Sequence, residues 1–120
     1  MQNLDQLRAA HAIREATATD KASVSKLPAM ILTNGLLGAL AFATEEGKKP
    51  REKMKAAADS LASHLSKLIP EIGAVTNGQS LATKLAGGDA LTLQRATTEA
   101  LAYLSYLKRF APKKDNGNAE

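Results

Sequence analysis

Apolar side chains recur along this chain at helical spacing, and no run alternates at period two, so helices are expected and strands are not. Asn3 followed by Gln6 has the form of a capping box and predicts a first helix from Leu4 to about Thr17. Leu4, Leu7 and His11 make one stripe on it, and Ala9, Ile13 and Ala16 make another roughly opposite. Asp20 to Ser25 reads as a polar connection, with Ser25 capping a second helix and Pro28 in its first turn. Leu27 to Ala43, LPAMILTNGLLGALAFA, is the most apolar stretch, and its large side chains point all round a helical wheel. Such a helix is a membrane span or the buried centre of a domain. The run falls short of about 18 apolar residues and holds Asn34 at its middle, so the buried centre is expected, with other elements wrapped round it. Gly35, Ala39 and Ala43, four apart, form a small-residue side for close approach, and a buried Asn34 would lock neighbouring elements.

Glu45 to Pro50 reads as a loop. Met54, Ala58, Leu61, Leu65 and Leu68 then form one helical stripe that Pro70 ends. Glu71 to Gly78 is a turn region, and a short helix with Leu81 and Leu85 spans about Gln79 to Ala86 before Gly87-Gly88. Asp89 caps the last helix, Ala90 to Ala111, which Pro112 terminates. Leu93, Ala96, Ala100, Leu101, Leu104 and Leu107 line one face, and Arg95, Glu99, Tyr106 and Arg109 line the other. The fold class is all-α: a single compact bundle of five or six helices over residues 1–112, with a disordered polar tail over 113–120.

Composition narrows the chemistry. At 120 residues, one domain buries enough surface to fold without staples. The absence of cysteine removes disulfides, thiolate metal sites and thiol nucleophiles. Met1 to Ala18 lacks the apolar core of a signal peptide, and a cytoplasmic location is expected. His11 and His64 belong to no metal-ligand pattern, and no phosphate loop, dinucleotide fingerprint or nucleophile elbow occurs. No catalytic residue, metal, cofactor or small-molecule substrate is expected, and the chain reads as non-enzymatic.

Charge is more informative. Sixteen Lys and Arg against twelve Asp and Glu give a net charge of +4, which suits an anionic partner. Lys108, Arg109, Lys113 and Lys114 lie where a helix dipole favours cations, so they have a structural explanation. Lys48, Lys49, Arg51, Lys53 and Lys55 straddle a helix start, where the dipole disfavours them, and phosphate contact is one reason to keep them there. Tyr106 lies between Arg95 and Arg109 on the polar face and suits base stacking or a protein contact. With aromatics at 3%, stacking cannot dominate, and nucleic-acid contact would be led by the backbone.

Three stretches then carry a family resemblance: MQNLDQLRAAHA, KLPAMILTNGLLGALAF and QRATTEALAYLSYLKRFA. Together they resemble the small helical subunit of the type III-B CRISPR effector, the Cmr RNA-silencing complex, over Met1 to Ala111. The most specific blocks are Lys26-Leu27-Pro28 with Asn34-Gly35-Leu36, and Thr98-Glu99-Ala100-Leu101 through Lys108-Arg109-Phe110-Ala111. Members of that family often carry tryptophan where Tyr106 stands, and tyrosine near Leu93. The resemblance implies a non-catalytic structural subunit whose copies stack along the guide–target duplex. Its implied partners are other Cmr-complex subunits, neighbouring copies of itself, and guide and target RNA, with no membrane. By matching position it implies RNA contact at Lys26, Lys108 and Arg109, with Arg95 added to them; Lys48, Lys49, Arg51 and Lys53 join on the dipole argument alone. The rival expectation is a helical protein–protein adaptor without RNA contact.

Overall fold

The computed structural model describes residues 2–45 and 52–113, and among them the chain forms five α-helices and two 3₁₀ turns, with no strand. They are α1 (Leu4–Glu15), α2 (Lys21–Ala43), α3 (Glu52–Leu68), α4 (Gly78–Ala86) and α5 (Ala90–Phe110). The all-α bundle expected from the pattern is thus observed.

Side-chain oxygens start four of these helices. Asn3 and Gln6 form the capping box of α1, each side chain bonded to the other's backbone N–H at 2.8 Å. Asn77 forms a second capping box with Ser80 at α4, and the Asp89 carboxylate caps α5 by accepting from the Thr92 N–H at 2.8 Å. The start of α2 differs from expectation. Asp20, not Ser25, is the cap, accepting from the Ser23 N–H at 2.8 Å, and the backbone N–H of Lys21 donates to the Pro112 carbonyl. These bonds satisfy early donors, so the helix begins at Lys21 and Pro28 falls inside it.

The apolar run of α2 is not the centre of the bundle. Val24, Leu27, Ile31, Leu36, Ala39, Leu40 and Ala43 are buried, while Leu32 is 75% exposed. By length and composition α2 could cross a bilayer, yet it is broken at Gly35. Gly35 has φ 81° and ψ 164°, a region essentially confined to glycine. Its role is therefore to turn the chain, and Asn34 beside it is exposed and locks nothing. Gly35→Ala is expected to cost about 1–3 kcal/mol from backbone strain, since a Cβ there meets nothing within 4 Å. Urea unfolding with an unchanged m-value checks this. The close approach sits elsewhere: a Cβ on Gly78 would lie 2.9 Å from Thr44 Cγ2 and 3.0 Å from Ala58 Cβ, where α4 meets α3 and the end of α2.

The central element is α3, which packs on each of the other four helices. Met54, Ala57, Ala58, Leu61, Ala62 and Leu65 are buried along it. Small alanines between the large residues let neighbours approach on more than one side. α5 supplies Ala96, Ala100, Tyr103, Leu104 and Leu107 to the same core and lies between α1, α2 and α3. α1 is the least embedded: Ala12 is its one buried residue and Ile13 is exposed, while from the Leu4, Leu7 and His11 stripe His11 meets His64 of α3 and Leu4 lines a cleft beside Leu68 and Ile69.

Candidate functional site

A groove of about 510 Å³ runs between α2 and α5. Lys21, Lys108 and Arg109 form its basic end, Ser105 sits on its wall, and Pro28, Leu101 and Leu104 make its apolar floor. Lys108 and Arg109 are exposed in the last turn of α5. The third cation was not expected. Lys21 Nζ donates to the carbonyl oxygens of Lys108 at 2.8 Å and Arg109 at 3.1 Å. Those carbonyls are the negative pole of α5. Lys21 neutralises that pole, which leaves the Lys108 and Arg109 side chains as net positive charge at the groove mouth. In sequence it lies 87 residues from Lys108, and an isolated lysine before an apolar run gives no sign of such a cap.

The other basic positions scatter. Lys26 is exposed on α2 but is not part of the groove lining. Arg95 is exposed and bonds the Glu71 carboxylate at 3.2 Å, so part of its charge is already matched. Lys53 and Lys55 are exposed in the first turns of α3. Lys48, Lys49 and Arg51 lie outside the described residues, as does the tail beyond Lys113. Tyr106 is half-buried against the core and faces Asp5 of α1, which pushes its hydroxyl pKa up. It is thus part of the α1–α5 contact instead of a free stacking platform between Arg95 and Arg109.

The polar face expected for α5 also holds an inward member. Glu99 is buried at the meeting of α1, α3 and α5. Arg8 grips its carboxylate with two bonds, Nε to Oε2 and Nη2 to Oε1, each 2.8 Å. His64 Nε2 reaches Oε2 at 2.8 Å. Burial alone pushes this carboxyl up, but the bonds and charges from Arg8 and His64 outweigh it and hold the pKa at about 2. His64 is buried and stacks on Tyr103 at 4.0 Å between ring centres, with the planes 12° apart. The Tyr103 hydroxyl pairs with Ser60 Oγ at 2.7 Å, and burial lifts its pKa to about 12. His11 closes the chain, its Nδ1 lying 2.7 Å from His64 Nδ1. No buried side-chain polar atom among the described residues lacks a partner.

The two histidines read from sequence as unrelated are therefore in direct contact. A signal for this existed. Arg8 and His11 on α1, Ser60 and His64 on α3, and Glu99 and Tyr103 on α5 are spaced three or four apart. Each helix thus carries a polar pair on one face. Among the described residues, no group of three His, Cys, Asp or Glu could hold a metal ion.

No curated protein and no solved structure matches the chain. The family model described as CRISPR-associated protein (Cas_Cmr5) matches residues 4–113, nearly the whole helical bundle. The chain thus belongs to the Cas_Cmr5 family and is a small subunit of the type III-B CRISPR effector, the Cmr complex.

Proposed function

We propose that this chain is a non-catalytic, cytoplasmic structural subunit that stacks with copies of itself along the guide–target duplex and contacts RNA backbone through basic surface. The observation that carries this reading is the α2–α5 groove. It brings Lys108 and Arg109 together with their helix pole quenched by Lys21, so positive charge faces outward. Phosphates meet two free cations there without paying for the dipole. Lys26 on α2 and Lys53 on α3 are further exposed cations outside the groove lining, and Lys48, Lys49 and Arg51 are proposed with them from sequence alone. Arg95 contributes less, because Glu71 shares its charge.

The free subunit is expected to bind single-stranded RNA weakly and with little sequence preference, and its affinity should fall linearly on a log–log plot against salt. Replacing Lys108 and Arg109 by glutamine should lower the magnitude of that slope by about 1–2, as two lost phosphate contacts require. Fluorescence anisotropy between 50 and about 200 mM salt reads this. Salt-independent binding, or an unchanged slope in the variant, sinks the proposal.

Exposed apolar surface favours a second reading, the protein–protein adaptor. Leu32 is 75% and Leu91 65% exposed, which suits burial against other subunits. Reversing charge at Lys26, Lys108 and Arg109 separates the two. An adaptor still assembles and the complex still captures RNA; an RNA-facing subunit assembles but the complex loses RNA affinity.

A further inference from the structure

A polar cluster joins α1 to the rest of the bundle. Ala12 is the only buried residue of α1, and the helix is tied down by Arg8 on Glu99 and His11 on His64. We infer that α1 is an acid-released latch, held by two histidines whose facing Nδ1 atoms have room for a single proton. The constraint is geometric. His64 Nε2 faces a carboxylate oxygen and so carries a hydrogen, which it donates to Glu99. Across the 2.7 Å gap between the Nδ1 atoms, one ring donates and the other accepts.

Proton counting gives the switch. With both rings neutral, His64 holds its hydrogen on Nε2 and His11 donates from Nδ1. One added proton goes to His11 Nε2, and every hydrogen bond survives. A second added proton would have to enter the same gap and set two N–H groups against each other. When α1 lifts away, the two Nδ1 atoms no longer face each other and the gap refuses no proton. The open form therefore binds one proton more than the closed form, and opening is favoured as pH falls below about 6.5, the ordinary histidine value.

The charged surroundings act in the same direction. Burial disfavours the charged form of His11 most, followed by the neighbouring His64 and then Lys67 and Arg14, while Glu15 partly offsets them. Glu99 is already occupied by Arg8 and His64, Asp5 by Arg8, and Tyr103 keeps its proton. The neighbouring turn Ala16–Ala18 has no titratable side chain. Release of α1 also removes Leu4 and Arg8 from the cleft they line with Leu68, Ile69, Arg95 and Glu99, uncovering apolar surface of α3 and its following turn.

Amide hydrogen exchange of the full chain tests this, read helix by helix from about pH 7 to 5. The expected result is that the opening constant of α1 rises up to tenfold per pH unit below about 6.5, while α3 and α5 keep their protection. His11→Gln should abolish that slope, since an amide can turn either its N–H or its oxygen toward His64 and so refuses no proton. His11 is only half-buried, so this variant is expected to fold. Three results overturn the latch: no pH slope in α1, a slope shared equally by α3 and α5, or a slope that persists in His11→Gln.

Discussion

Glu99→Ala is expected to lower stability by about 3–5 kcal/mol, the usual cost of leaving a buried charge without its partner. The carboxylate takes two bonds from Arg8 and one from His64 within a site that is closed to water on the α3 side. Without it, the half-enclosed Arg8 guanidinium keeps only the exposed Asp5 carboxylate at 3.2 Å, and the His64 N–H has no acceptor. Chemical denaturation at neutral pH measures the loss, and α1 should be the first element to lose exchange protection. Glu99→Gln should cost less, because its amide oxygen still accepts one bond. Acid offers an independent reading of the same interaction. The folded-state pKa of Glu99 is depressed from 4.5 to about 2. The unfolded chain therefore binds the proton first, so this stability is present above about pH 4.5 and is lost as pH falls toward 2. In Glu99→Gln this acid limb should be absent from the pH–stability curve.

Tyr103→Ala should cost a similar amount, about 3–5 kcal/mol, for a different reason. The side chain is fully buried, and truncation leaves a ring-sized hole between α3 and α5. It also removes the stacked partner of His64 and the hydrogen-bond partner of Ser60. Tyr103→Phe separates these contributions. The ring and its stacking stay, the buried Ser60 hydroxyl loses its bond, and the expected loss is about 1–2 kcal/mol. Equal losses for Phe and Ala would mean that the hydroxyl pair, not the packing, dominates. Neither substitution changes a side chain that lines the α2–α5 groove.

Much of the fold was legible in the chain because its punctuation is local. Asn3, Asn77 and Asp89 cap helices through backbone groups two or three residues away, and Pro70 and Pro112 end helices by lacking a donor. Such contacts need no tertiary information. The α2 start was misread for the opposite reason. Asp20 is also a good cap, and the helix end at Pro112 that helps fix Lys21 is distant in sequence. The apolar run of α2 shows a second limit. Hydrophobicity measures what a segment would gain by burial, not how many neighbours reach it. α3, with fewer large apolar residues, ended at the centre because its buried Ala57, Ala58 and Ala62 admit close helices on several sides. Leu32 stayed outside.

The candidate site divides along the same line. Lys108 and Arg109 were readable because they sit together at a helix end and within a family block. That Lys21 caps the pole beneath them follows only from the packing of α2 against α5. By itself the sequence determined the helical content, the helix stops, the family and the basic character of the surface, since each rests on residues near in sequence or on a pattern over the whole chain. Only the tertiary structure decided that Glu99 turns inward, that the Nδ1 atoms of two histidines 53 residues apart meet at 2.7 Å, and that Arg8 and His11 tie α1 to α5 and α3. Those features depend on which faces of three helices meet. A spacing of three or four marks a face, but it does not say what lies across from it.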